Sequence, residues 1–340
     1  MEKTPILAIM YDFDHTLSPR DMQEYGFIPD LGMEADVFWN KCLKAMKRNQ
    51  MDQILAYMYM MLEEAKGKLI VNRNMLRALG KDVQLFDGVS DWFARVNEYA
   101  RSRGLQPEHY IISSGLKEII EGTPIAKEFK EIYAASFCYD EHGVACWPAM
   151  AVNYTSKTQF LFRVNKGVLD VTEHRALNEF MPEEKRRVPF SNMIYIGDGL
   201  TDVPSMKLTK LNGGHSIAVW QENEGVSNEM LLEGRVDFAV KADYSREAKW
   251  KRRFSPSSTR LPPAPKPRRC MWTHATAPSE HRRKHEEQKA ARAGYRRHAD
   301  QHAEGYHAQD AGSDFEHRAD GARRRARLGP TDGRHAALRR

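Results

Sequence analysis

Ile6-Leu7-Ala8-Ile9-Met10-Tyr11-Asp12-Phe13-Asp14-His15-Thr16 decides the fold. The run up to Tyr11 is apolar and partly β-branched, the pattern of a strand buried on both faces in a parallel sheet. It breaks into two carboxylates two residues apart. Asp12 and Asp14 therefore stand at the carboxyl end of a strand, the end where open α/β sheets bind ligands. Residues two apart in extended chain share a face, which brings both side chains toward one metal or phosphate. A polar turn after a strand explains the same residues on their own, so the rest of the chain must decide. The same alternation turns His15 away from the two carboxylates.

Working outward, strand and helix patterns alternate. Tyr110-Ile111-Ile112 is a second short apolar strand, and it ends in Ser113-Ser114-Gly115 with a helix expected at 116–121. Residues 132–139 and 144–152 read as a hairpin around Asp140-Glu141-His142-Gly143. Thr155 or Ser156 is placed to cap a helix carrying Lys157 in its first turn. Asn192 to Ile196 is a third strand, running into Gly197-Asp198-Gly199-Leu200-Thr201-Asp202, and a helix follows. Strands at 216–220 and 236–240 flank a helix near 227–233. The expected fold is α/β: a Rossmann-like, mostly parallel sheet with helices on both faces.

One block interrupts this alternation. Residues 21–31 look irregular, with Gly26 and Pro29 as breakers. Apolar residues at helical spacing then mark helices over 34–49, 52–66 and 72–79. The domain reading is a core of 1–19 and 84–245, with a small helical unit of 20–83 inserted after the first strand. Met58, Met60 and Met61 read chiefly as helix packing; together with Met33 and Trp39 they are also candidates for a binding face.

The net charge of +6 is unevenly distributed. Residues 251–340 hold 22 Lys+Arg against 10 Asp+Glu, a balance of +12, so residues 1–250 carry −6. Residues 251–340 also contain no Ile or Val and three Leu. Such a segment buries too little apolar surface to offset its ordering entropy. The stretch 246–340 is therefore expected to be a disordered tail. It reads as a basic arm touching nucleic acid, as a solvated appendage, or as out-of-frame translation of GC-rich DNA. The last fits the Arg/Ala/Pro/His/Gly mixture best. Cys42, Cys138, Cys146 and Cys270 show no C-x-x-C spacing, so neither zinc nor a disulfide framework is indicated. No leader or membrane-spanning run is read, and a cytoplasmic setting with no membrane contact is expected.

Four features now fall at strand ends or helix starts, in a fixed order: Asp12-x-Asp14-x-Thr16, Ser113, Lys157 and Gly197-Asp198-x-x-x-Asp202. Each alone is ordinary turn or surface chemistry; the ordered set is far more specific. It resembles the haloacid dehalogenase superfamily, in particular its phosphoserine-phosphatase-like members, whose helical insert is a cap of the type called C1. The resemblance implies a Mg²⁺-dependent phosphomonoesterase acting on a small phosphorylated metabolite. Asp12 would be the nucleophile, forming an aspartyl-phosphate, and Asp14 the acid and then the base. Ser113, Ser114 and Gly115 would bind the phosphoryl group, and Lys157 would neutralise its charge. Asp12, Asp198 and the Asp14 carbonyl would hold Mg²⁺, supported by Asp202 and by Thr16 bonded to nearby backbone. A phosphotransferase or nucleotidase on the same chemistry is the alternative, and a non-catalytic scaffold the third reading.

Overall fold

The structure is a computed structural model and describes residues 4–246. The reading of the segment beyond, including its disorder and its nucleic-acid contact, lies outside the described residues. Seven strands form one sheet in the order β4-β3-β2-β1-β5-β6-β7. The central strand is β1 (Ile6–Tyr11), parallel to β2 (Gln106–Leu116) on one side and to β5 (Met193–Gly197) on the other. β3 (Phe129–Tyr139), β6 (His215–Trp220) and β7 (Phe238–Lys241) extend the parallel sheet, and β4 (Ala145–Met150) closes one edge antiparallel to β3. Strand order reverses at β1: β2 and β3 build out one way, β5, β6 and β7 the other. The crevice at such a reversal, outside the carboxyl ends, is where α/β sheets bind ligands.

Helices cover both faces, as the unbroken apolar strands require. Ten are present among the described residues: α1 (Phe27–Asp30), α2 (Ala35–Asn49), α3 (Gln53–Ala65), α4 (Arg73–Leu79), α5 (Val89–Ser102), α6 (Lys117–Glu121), α7 (Lys157–Lys166), α8 (His174–Asn178), α9 (Val203–Leu211) and α10 (Gly225–Leu232). Along β1 the pleat divides the core. Ile9 and Tyr11 pack with Val89 and Phe93 of α5, whereas Ala8 and Met10 pack with Phe160, Leu161 and Val164 of α7 and Met206 of α9. The first core continues without a break into α2 and α3 through Phe38, Ile54, Tyr57 and Met58. No helix among the described residues is long and apolar enough to cross a membrane.

Two local departures from expectation have physical reasons. β2 starts four residues earlier than its apolar run, because Gln106 to His109 pair with Ile6 to Ile9 despite their polarity; Glu108 and His109 are buried there with bonded partners. Residues 21–31 are not irregular. They hold a 3-10 turn at Met22–Glu24 and the single turn α1, seated by the buried side chains of Met22, Phe27 and Ile28. Pro29 sits within the first turn of α1, where its missing N–H has no helical partner to lose. Met58, Met60 and Met61, by contrast, follow their expected packing role and are buried in the core between helices.

Candidate active site

The site is assembled at the carboxyl ends of β1, β2 and β5. Beyond Tyr11 the chain stays pinned to the sheet for one more bond, Asp12 N donating to the Ile196 carbonyl at 2.9 Å. It then turns sharply: the Phe13 carbonyl accepts from the amides of Thr16, Leu17 and Ser18. Phe13 N donates to Asp12 Oδ1 at 2.7 Å, and Met22 N donates to Asp14 Oδ1 at 2.9 Å. Both carboxylates line one cavity together with Asp198, Ser113, Ser114 and Gly115. Two glycines permit the approach. A Cβ on Gly115 would lie 2.8 Å from Asp14 Oδ2 and 2.1 Å from Met22 Cε, and one on Gly197 would lie 2.4 Å from Asp202 Oδ2.

Lys157 opens α7 and is fully buried. Its Nζ lies 2.8 Å from Asp12 Oδ2 and 2.7 Å from Asp202 Oδ1. The Asp202 carboxylate also accepts from Tyr195 OH at 2.8 Å. One carboxylate oxygen each from Asp12, Asp198 and Asp202 falls within 4.8 Å of the others. These are hard oxygen donors of the kind Mg²⁺ prefers, so the residues present fit a divalent cation. The Asp14 side chain stands outside this trio.

A family model for haloacid dehalogenase-like hydrolases matches residues 9–207, more than half of the chain. The chain belongs to that family. An uncharacterized protein of Borreliella burgdorferi is 26% identical to this hydrolase over 277 residues, covering 73% of this chain and 95% of that protein. Among solved structures, a HAD family hydrolase of Salmonella enterica serovar Typhi is similar at 14% identity and a TM-score of 0.46, covering 70% of this chain and 68% of that one. A substrate-bound phosphoserine phosphatase is similar at 13% identity and a TM-score of 0.46, covering 72% and 95% respectively. Cytosolic 5'-nucleotidase IIIB bound to cytidine is similar at 12% identity and a TM-score of 0.42, covering 70% and 81%.

The electrostatics of the hydrolase site follow from several neighbouring carboxylates that share one lysine. Burial, then the charge of Asp202, pushes Asp12 up to about 6 in spite of Lys157. Burial, then the charges of Asp202 and Asp12, pushes Asp198 up to about 8. Asp14 is held well above the usual carboxylate range by burial and by the nearby charges of Asp21 and Asp12. Burial opposes the Lys157 charge, but Asp12 and Asp202 outweigh it and hold the ammonium protonated.

Several expectations are corrected. His15 does not face away: it has left-handed φ of 57°, which ends the strand alternation and returns its ring to the cavity. Its Nε2 is 3.6 Å from Asp21 Oδ1. The bond to Asp21 outweighs burial and raises the imidazole to about 9. The Thr16 hydroxyl donates to Asp198 Oδ1 at 3.3 Å rather than to backbone, while the Thr16 carbonyl accepts from the buried Tyr244 hydroxyl at 2.8 Å. Neither Thr155 nor Ser156 caps α7 with its hydroxyl; Asn153 Oδ1 accepts from both their amides, at 3.1 and 2.9 Å. The helix behind β2 starts at Lys117, and Ser114 and Gly115 occupy the irregularity between Ser113 and Leu116 where the β2–β3 ladder shifts register. Gly115 N there donates to Ser113 Oγ at 3.0 Å.

Sequence reasoning missed Tyr195, Tyr57, Asp21, Gln23 and Asp52. Tyr195 hides inside an apolar strand. Tyr57 sits on the buried stripe of α3 and donates to the Ser114 carbonyl at 2.7 Å. Asp52 precedes α3 and was legible as a cap, which it is: Oδ1 accepts from Ile54 N at 2.8 Å and Leu55 N at 3.2 Å.

Proposed function

We propose that this hydrolase is a Mg²⁺-dependent phosphomonoesterase that cleaves a small phosphorylated metabolite through an aspartyl-phosphate on Asp12. The observation that carries the reading is the imbalance at the strand ends: one buried ammonium, Lys157, meets Asp12 and Asp202, while Asp198 lies close to both carboxylates and Asp14 shares the cavity with Asp12 and Asp198. Such a cluster is incomplete without further positive charge, since buried carboxylates need pairing. Asp12 and Asp198 would hold Mg²⁺, with Asp202 behind them, already bonded to Lys157 and Tyr195. The cation, when bound, screens the repulsion between an anionic ester and an anionic nucleophile.

The remaining work falls to side chains. Asp12 is fixed from both oxygens, by Phe13 N and by Lys157 Nζ, which aims the carboxylate at the cavity. It attacks phosphorus, and the ester oxygen leaves with the proton of Asp14. Burial beside Asp21 and Asp12 raises Asp14 well above the usual carboxylate range, the direction a general acid requires. Asp14, now ionised, takes a proton from water as that water attacks phosphorus and releases Asp12. Ser113 supplies a hydroxyl at the cavity wall for a phosphoryl oxygen, and Lys157 holds charge next to the attacking carboxylate. Helices α2 and α3, as a cap over the cavity, would limit water and bulky esters.

A panel of small phosphate esters with p-nitrophenyl phosphate, run with and without Mg²⁺, tests the proposal. Turnover that needs Mg²⁺ and disappears in Asp12→Asn is the expected result. Turnover that survives Asp12→Asn unchanged contradicts it.

A further inference from the structure

The cavity over the carboxylates has a volume of about 710 Å³ and a wall whose charged groups are mostly acidic. Resting on the phosphomonoesterase reading, we infer that the ester it takes carries an ammonium group on its alcohol, and no carboxylate. Three observations lead there. The first is charge. Asp52 adds a carboxylate to those of the reaction centre, Asp21 adds another that His15 offsets, and no Lys or Arg lines the cavity among the described residues. The ammonium of Lys157 is enclosed by Asp12 and Asp202, and the His15 ring is paired with Asp21. A carboxylate on the alcohol would therefore enter a wall with no cation left to receive it, which is costly in a low-dielectric cleft.

The second observation is which hydrogen-bonding groups are already engaged. Trp39 Nε1 donates to Glu24 at 2.8 Å, Tyr57 OH to the Ser114 carbonyl at 2.7 Å, and Asn153 Nδ2 to Asp52 Oδ2 at 2.9 Å. These three donors are engaged within the protein, and Asp52 is already bonded as an acceptor. One buried acceptor of the wall is not: Gln23 is 2% exposed, and its Oε1 has no partner. A buried acceptor left without a donor is destabilising, so the wall is complementary to a ligand that donates. The third is aromatic surface: the Trp39 and Tyr57 rings meet edge to face at 6.3 Å in the same wall, and ring faces attract cations. Acceptor-rich, carboxylate-lined and aromatic, the cavity fits an ammonium head.

Three esters of similar size separate the possibilities on the native enzyme: O-phosphoethanolamine, its uncharged counterpart n-propyl phosphate, and the carboxylate phosphoglycolate, with p-nitrophenyl phosphate as a general substrate. The expected kcat/KM order is ammonium, then uncharged, then carboxylate, with the first at least about tenfold above the second. Asp52→Asn keeps a residue that caps helices as well as Asp does but removes the charge. It should narrow the ammonium-to-propyl ratio by about threefold or more, and Gln23→Leu should narrow it as well. If p-nitrophenyl phosphate is turned over but phosphoglycolate or propyl phosphate is cleaved as well as phosphoethanolamine, this inference falls and the phosphatase stands. If none of the four is hydrolysed, both fall.

Discussion

Two charge clusters, each built around a buried group, sit at opposite ends of the sheet, and their proportions are inverted. At the amino end of β2, one carboxylate, Glu108, is held by Arg187 at 2.5 and 2.8 Å, by Lys130 at 2.5 Å and by the Tyr110 hydroxyl at 2.6 Å. At the carboxyl ends of β1 and β5, one ammonium, Lys157, meets Asp12 and Asp202, with Asp14 and Asp198 beside them. Burial acts against charge in both places, and the outcomes diverge. Arg187, Lys130 and Tyr110 overcome the burial of Glu108 and hold it at about 2. Lys157 cannot do the same for several carboxylates, and Asp198 rises to about 8. The first cluster is complete and ties β2, β3 and the segment before β5 together. The second is left short of positive charge, and the proposed cation binding rests on that deficit.

Substitutions at the two ends should therefore fail in different currencies. Asp12→Asn is expected to lower kcat by about a thousandfold or more while the protein stays folded, because it removes the attacking oxygen's charge; steady-state kinetics and a melting curve measure both halves. Lys157→Met leaves Asp12 and Asp202 buried without their counter-charge. It should cost about 3 kcal/mol in denaturant unfolding without added metal, with kcat down about a hundredfold. Glu108→Gln should do the reverse, leaving kcat within about twofold and costing about 2 kcal/mol of stability, less than a fully buried pair because Arg187 and Lys130 are partly exposed.

The smallest expected effect is the change in stability between about pH 6.5 and 5.5. His109, next to Glu108 on β2, is buried between Tyr11 OH and Asn97 Oδ1, each at 3.0 Å. Burial lowers its pKa from 6.5 to about 4. Above pH 6.5 the ring is neutral folded or unfolded, and it contributes no pH dependence. As pH falls below that, the unfolded chain takes up the proton first, so stability is lost progressively until the folded ring also titrates near 4. The loss should reach roughly 1 kcal/mol by pH 5.5. His109→Gln should flatten that part of the curve of unfolding free energy against pH; an unchanged slope would mean that His109 is not the group responsible. Glu108 adds a second loss at lower pH, as it is protonated between about 4.5 and 2.

The part of the molecule legible in the sequence is the part governed by local pattern. Ile6 to Tyr11 reads as a buried strand because every residue is apolar, and Lys157 reads as a helix start because turn residues precede it. What was hidden depends on distant approach or on a single dihedral. Gln106 to His109 look like loop until β1 is laid beside them. His15 leaves the alternation because one φ is positive. Tyr195 looks like core until Asp202 folds back over Gly197 to accept its hydrogen bond. Gln23 and Tyr57 belong to the cavity only because α2, α3 and the turn at Met22–Glu24 close over the strand ends, and neither apolar periodicity nor motif spacing encodes that closure.

The central claim is that the charge-deficient end of the sheet uses Asp12 as a covalent nucleophile. Acid quenching during turnover of p-nitrophenyl phosphate with Mg²⁺, reduction with borohydride, and mass spectrometry of the peptide containing residue 12 tests it directly. Borohydride converts an aspartyl-phosphate to homoserine, so the mechanism predicts homoserine at position 12 and at no other aspartate. Homoserine elsewhere, or an unmodified Asp12 in an enzyme that is turning over, would contradict it.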